Sequence, residues 1–247
     1  HEGDTRPMAG YFPCNDYHEW VDAVKGAVRK YNPTADVVFW TYNWGSADKI
    51  PRLELIDRLT KDISLMVTYE MFEDYTLPNG YTGRCNDYTL AFAGPGKYFV
   101  SEAERAKKNG IRLYAMSNTG GLTWDYGDVP YLPHPFQWKR RWDTMRKAHD
   151  DWGLCGLMEN HHYGWHPSFV SELAKEAFTK GGVPFDAHIR RIAARDFGAA
   201  NADAVVKVWR DWSKAMTHQP GTHANQYAMF RAGPAYPFNA LGPSIRD

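Results

Sequence analysis

Three cysteines, Cys14, Cys85 and Cys155, are spread over 247 residues, and none stands at C-x-x-C or other metal-ligand spacing. A disulfide framework and a cysteine metal site are both excluded, and free thiols are expected, with Cys155 inside a strand and in the core. Charge of one sign is missing as well: Lys and Arg total 29, and Asp and Glu total 29. Nothing in that balance selects a nucleic acid or an anionic membrane surface, and a neutral partner is favoured. No apolar run approaches the roughly 18 residues that span a bilayer. The start His1-Glu2-Gly3-Asp4 has neither the basic region nor the apolar core of a secretion signal, and localisation stays open. No Gly-rich phosphate loop follows a strand, and neither G-x-S-x-G nor H-E-x-x-H occurs. His161 and His162 are adjacent, so on an extended segment they point to opposite faces and do not share an ion. No metal and no cofactor are expected.

Aromatic side chains are abundant instead: Phe, Trp and Tyr make up 15% of the chain, including 10 Trp and 15 Tyr. Several fall outside any helical or strand period. Sugar rings present apolar C–H faces that stack on aromatic planes, so a surplus of rings in loops suits saccharide binding, whereas large cores also use aromatics.

Short apolar runs alternate with longer amphipathic ones, the pattern of βα units. Tyr17, Trp20, Val21, Val24, Val28 and Tyr31 predict a helix over 16–31, ended by Asn32-Pro33. Strands are predicted at 37–42, 63–69, 111–116 and 154–158, parallel and neighbouring in that order. Helices are predicted around 51–59, 101–109 and 136–151, then at 167–179, 185–197 and 201–216. The stretch 72–98, rich in Gly, Pro, Asn and Tyr, reads as a long loop without regular structure. The expected fold class is α/β, the second half of a (β/α)₈ barrel of about four βα units over 1–180, followed over 181–247 by a helical tail that packs on it. Half a barrel alone would leave two strand edges bare, so the remaining N-terminal half of the same polypeptide is an expected partner.

In parallel βα architectures the chemistry gathers at the carboxyl ends of the strands, because the following loops converge there. Those ends hold Trp40, Asn43 and Trp44, then Tyr69 and Glu70, then Asn118, then Glu159, Asn160, His161, Tyr163 and Trp165. Glycosidic bonds are broken by two carboxyl groups, or by one acid with help from a substrate N-acetyl group. Glu2, Asp4, Glu70 and Glu159 are the candidate acids. Glu159 stands out because it follows an apolar strand, expected to be buried on both sides, and precedes a cluster of ring side chains.

The order His1-Glu2-Gly3-Asp4, helix, strand ending in Trp40 resembles the hexosaminidase-type family 20 glycoside hydrolases, in which an acidic motif on the fourth barrel strand precedes a tryptophan-bearing fifth strand. The run from Gly156 to Trp165, followed by Ser171-Glu172-Leu173-Ala174, is similar to that family's last strand, where a glutamate before an aromatic loop holds sugar hydroxyls. The tail is similar to that of bacterial hexosaminidase-like proteins of unassigned substrate. The family's adjacent Asp-Glu pair is not present as such: Gly3-Asp4-Thr5 has threonine where the glutamate would stand.

The resemblance implies an exo-acting hydrolase of a β-linked sugar, with or without an N-acetyl group, that uses carboxylate acid catalysis. Asp4 or Glu2 would transfer the proton, Glu159 and Asn160 would hold sugar hydroxyls, and Trp40, Trp44, Tyr69, Tyr163 and Trp165 would wall the pocket. A non-catalytic carbohydrate-binding domain and a structural α/β module are the rival readings.

Overall fold

The computed structural model describes residues 16–42, 49–85, 89, 91–117, 133–158 and 168–218. In chain order the elements are α1 (Tyr17–Arg29), β1 (Val38–Trp40), α2 (Lys49–Arg58), β2 (Ser64–Thr68), β3 (Asp74–Thr76), β4 (Thr82–Arg84), α3 (Lys97–Asn109), β5 (Arg112–Met116), α4 (Pro135–Trp152), β6 (Leu154–Met158), α5 (Phe169–Ala177), α6 (Phe185–Phe197) and α7 (Ala202–Met216). The fold is α/β. Strands β1, β2, β5 and β6 form one sheet in that order, with every pairing parallel, as the sequence predicts.

Strand alternation separates the two faces of this sheet. Leu65, Val67, Leu113, Ala115 and Leu154 share one core with Val21 of α1, Leu53 and Ile56 of α2, Phe99, Ala103 and Ala106 of α3, and Met145 and Ala148 of α4. The intervening residues Met66 and Met116 belong to a separate small cluster with Trp40, Tyr42, Tyr114 and Met158. Helices α1–α4 therefore lie on one face of the sheet. That placement follows when every crossover steps in the same direction, whereas a reversal of strand order would put helices on both faces.

Two of the crossovers end alike. Helices α3 and α4 stop at Gly110 and Gly153, whose φ values of 69° and 75° are left-handed. Each donates its N–H back to carbonyls of the last turn, and the strand starts within two residues. A second core joins Trp138 and Trp142 of α4 to Phe169, Val170 and Leu173 of α5, Ile189 and Ile192 of α6, and Trp209 of α7. The stripe Trp138, Trp142, Met145, Ala148 along α4 thus passes from the helical core to the sheet core.

The structure corrects three expectations. The stretch 72–98 contains the antiparallel hairpin β3–β4 and the start of α3. Its turn is Pro78-Asn79-Gly80: the Gly80 N–H donates to Leu77 O at 2.9 Å, and Asn79 Oδ1 accepts from the Tyr81 N–H at 3.1 Å. Cys155 is exposed rather than in the core, because β6 is an edge strand. For the same reason β6 is not covered on both sides, and only Leu154 of its five residues is buried. No described helix is long and apolar enough to cross a membrane.

The αL caps give a test with two signs. Gly153→Ala forces a Cβ into the left-handed region and lowers unfolding stability by about 1 kcal/mol. Gly26→Ala lies in the interior of α1 with no atom within 4 Å of the added Cβ, and raises stability by about 0.5 to 1 kcal/mol. Urea titration measures both, and shifts of the same sign would contradict this account of the crossovers.

Candidate functional site

The face of the sheet opposite helices α1–α4 carries a graded set of side chains. Near the amino ends of the strands, Asp36 accepts from Ser64 Oγ at 3.0 Å and from the Tyr114 hydroxyl at 3.0 Å, and pairs with Arg112 at 3.3 Å. The ring of Tyr114 is thereby held over Gly156, where a Cβ would stand 2.6 Å from it. Further along lie Met66, Met116 and Met158. At the carboxyl ends Trp40 donates its indole N–H to Thr68 Oγ1 at 3.3 Å, and its ring meets that of Tyr42 with centroids 4.5 Å apart and planes 33° from parallel. The rings of Trp40 and Tyr42 are half-buried and Met66 and Met116 are buried, so this part of the face is an apolar cluster with polar margins.

Behind this cluster two carboxylates are sealed from water. Glu70, directly after β2, is 0% exposed. Its Oε1 forms an ion pair with Arg141 Nε at 2.8 Å, in a geometry short of a linear hydrogen bond. Its Oε2 accepts from Ser117 Oγ at 2.9 Å. Arg141 also donates through Nη2 to the Thr89 carbonyl. Burial raises the Glu70 carboxyl's pKa, opposed by the Arg141 guanidinium, the Ser117 hydroxyl and the Gly94 amide.

Glu102 of α3 is the second. It pairs with Arg52 of α2 at 2.5 Å and accepts from Thr41 Oγ1, just past β1, at 2.6 Å. Arg52 donates to Ser101 Oγ at 3.2 Å and lies 4.3 Å from the centroid of the Tyr98 ring. Burial pushes the Glu102 carboxyl up to about 7, with Arg52 and Thr41 pulling the other way. At the start of α4 burial holds His134 down at about 4, so it is neutral at physiological pH.

Of the residues expected at the site, Trp40 packs with Tyr42, Met66 and Met116 on the face opposite the helices. Tyr69 does not: it is fully buried on the helix side, edge-on to Phe99 at 4.6 Å. It shares strand parity with Leu65 and Val67, so it follows them into the core and is not a pocket wall. Glu70, expected as a catalytic acid, has both oxygens engaged inside the protein and faces no solvent. Its place fits a positioning group. Glu2, Asp4, Asn43, Trp44, Asn118, Glu159, Asn160, His161, Tyr163 and Trp165 lie outside the described residues.

The sequence reading missed Arg141, Arg52, Thr41 and Glu102. A signal for three of them exists. Arg141 falls on the apolar stripe Trp138, Trp142, Met145, Arg52 beside Ile56 and Leu59, and Glu102 between Phe99 and Ala103 and Ala106. A charge on the buried stripe of a helix requires a buried partner. Among the described residues no group of three or more His, Cys, Asp or Glu side chains is placed to hold a metal ion.

The two acids behave differently under test. Arg141→Met strands the Glu70 charge and costs about 3 to 5 kcal/mol of stability in urea unfolding, and adding Glu70→Gln recovers a large part of that loss. A single variant within about 0.5 kcal/mol of wild type would remove the pair's structural role. For Glu102, the folded carboxyl titrates at about 7 against an ordinary 4.5. The folded state therefore holds the proton more tightly, a stabilisation fully present below about pH 4.5 and lost as pH rises to about 7. The stability difference between wild type and Glu102→Gln should change across that window by about 1.4 kcal/mol or less per pH unit and stay flat above it. A difference constant from pH 4.5 to 8 would show that Glu102 is ionised throughout.

No protein-family model, no curated protein and no solved structure matches this chain.

Proposed function

We propose that the chain is the second half of a (β/α)₈ barrel in an exo-acting glycoside hydrolase of β-linked, N-acetylated sugars. The observation that carries the reading is the sheet: four parallel strands in chain order with helices α1–α4 on one face, so that the segments after β1, β2, β5 and β6 leave the same edge, beside the Trp40–Tyr42 pair. Those segments include Asn43, Trp44, Asn118, Glu159, Asn160, His161, Tyr163 and Trp165. Strand ends distant in sequence share one edge of the sheet, the condition for a pocket in parallel βα architectures.

In this reading the sugar's apolar face rests on Trp40 and Tyr42, and Trp44, Tyr163 and Trp165 close around it. Glu159 and Asn160 accept and donate hydrogen bonds to vicinal hydroxyls, which suit the two oxygens of a carboxylate. Asp4 or Glu2 gives a proton to the glycosidic oxygen as the C1–O bond breaks. The substrate's own N-acetyl oxygen bonds C1 in its place, and water later releases it. Glu70 and Ser117 act from behind, setting where the segments after β2 and β5 begin. Binding of a carbohydrate without hydrolysis is the second reading, favoured by the sealing of Glu70.

A panel of nitrophenyl glycosides, headed by the β-N-acetylglucosaminide, tests the proposal. We expect turnover of at least one, and a fall in kcat/KM of about 10-fold to 10³-fold in Glu159→Gln, from the loss of one or two charged hydrogen bonds. Circular dichroism checks that the variant is folded. A folded Glu159→Gln protein at the wild-type rate sinks the assignment, whereas saccharide binding without cleavage of any glycoside selects the second reading.

A further inference from the structure

Helix α7 is apolar over more of its circumference than its core uses. Ala202, Trp209 and Ser213 are buried, Val206 and Met216 are half-buried, and this inner side packs into the second core with α4, α5 and α6. Beside it runs a second row, Val205, Val208, Trp212 and Ala215, spaced by three, four and three residues. Val208 and Trp212 are each 51% exposed, Ala215 is exposed and Val205 is half-buried. With 3.6 residues to a turn, the two rows together cover about half of the helix, and Asp203, Lys207, Arg210, Asp211 and Lys214 fall on the rest. The exposed side of α6 is built otherwise, with Arg190, Arg191, Arg195 and Asp196 on it. An apolar row turned to water along a helix whose other apolar side is already packed marks a surface for a further partner.

The row is complementary to itself when reversed. Set antiparallel about a two-fold axis at residue 210, it places Trp212 of each copy against Val208 of the other, and Val205 against Ala215, so each larger side chain meets a smaller one. Reversal also brings Lys207 of one copy within reach of Asp211 of the other. Both are exposed at the margin of the row, and they pair along their own helix at 2.6 Å. A parallel pairing would set lysine against lysine and aspartate against aspartate, so the charges select the antiparallel one. Lys and Arg total 29 and Asp and Glu total 29, so two copies approach without net repulsion.

We propose that the occupant of this row is a second copy of the chain, joined α7 to α7 in an antiparallel, two-fold symmetric dimer. Trp212 is its anchor: a tryptophan half exposed on a regular helix, opposite a smaller apolar side chain and ringed by polar ones, is the kind of residue on which association free energy concentrates. The inference rests on α7 alone and does not depend on the hydrolase reading.

Sedimentation equilibrium over concentrations on the order of 1 to 200 µM tests it, the range in which a small helix-to-helix interface forms and dissociates. We expect the mass to rise from that of one chain to that of two. Trp212→Lys places a charge in both halves of the interface and weakens association by about 30-fold or more. Trp20→Lys, on the exposed stripe of α1, leaves the equilibrium unchanged. Circular dichroism checks that both variants are folded. The mass of a single chain throughout that range would overturn the proposal, whether the row is then covered within its own chain or by a different partner. A dimer that survives Trp212→Lys, or one that Trp20→Lys dissolves equally, would overturn it too, because association would then run through another surface.

Discussion

A carboxylate with no access to water demands a cation at contact distance, and much of this chain is arranged around meeting that demand for Glu70. Arg141 meets it from the middle of α4, which fixes the rotation of that helix about its own axis. Once Arg141 points at the end of β2, Trp142 and Trp138 fall toward α5–α7, and Met145 and Ala148 fall on the sheet. Ser117 closes the arrangement from the end of β5. One ion pair therefore ties two strands, a helix and, through the Thr89 carbonyl, an intervening loop. Glu102 repeats the device for β1, with Thr41 in the place of Ser117 and Arg52 in the place of Arg141. Glu70 directly follows β2 and Glu102, on α3, accepts from Thr41 just past β1, so both carboxylates brace the carboxyl ends of strands.

Bracing of this kind fixes the carboxyl ends of β1, β2 and β5 relative to one another. The strands supply direction, the helices on the far face supply burial, and the sealed acids supply the fixed exit points. The opposite face is graded in character. Its side chains pass from the hydrogen-bonded Asp36 network at one end, through methionines, to the Trp40–Tyr42 rings at the other.

Much of the fold was legible from periodicity. The four strands, their order and the helices between and after them follow from alternation of apolar runs, and Gly110 and Gly153 stand where crossovers turn into strands. The hairpin at Pro78-Asn79-Gly80 was equally readable, since Asn-Gly between short runs is turn chemistry, yet aromatic and polar residues around it masked strands of only three residues. Tyr69 and Glu70 were misjudged for a different reason. Nearness to a strand end says nothing about which face a residue takes, and parity assigns a face only once it is known which face the helices cover. Arg52 pairs with Glu102 across 50 residues of sequence and Arg141 with Glu70 across 71, so a buried charge can be suspected from its stripe, but its partner cannot be named from it. Cys155 was misread because the sequence pattern of a buried strand is the same whether or not its cover lies within the described residues.

The central proposal is that the carboxyl ends of β1, β2, β5 and β6, beside Trp40 and Tyr42, hold a sugar ring. A crystal structure of the protein with N-acetylglucosamine bound addresses it most directly. The account predicts the ring lying on Trp40 and Tyr42, with its hydroxyls toward the segment that follows β6. A sugar bound only between α4 and α5, or only on the outer surface of the helices, with the Trp40–Tyr42 pair bare, would contradict it.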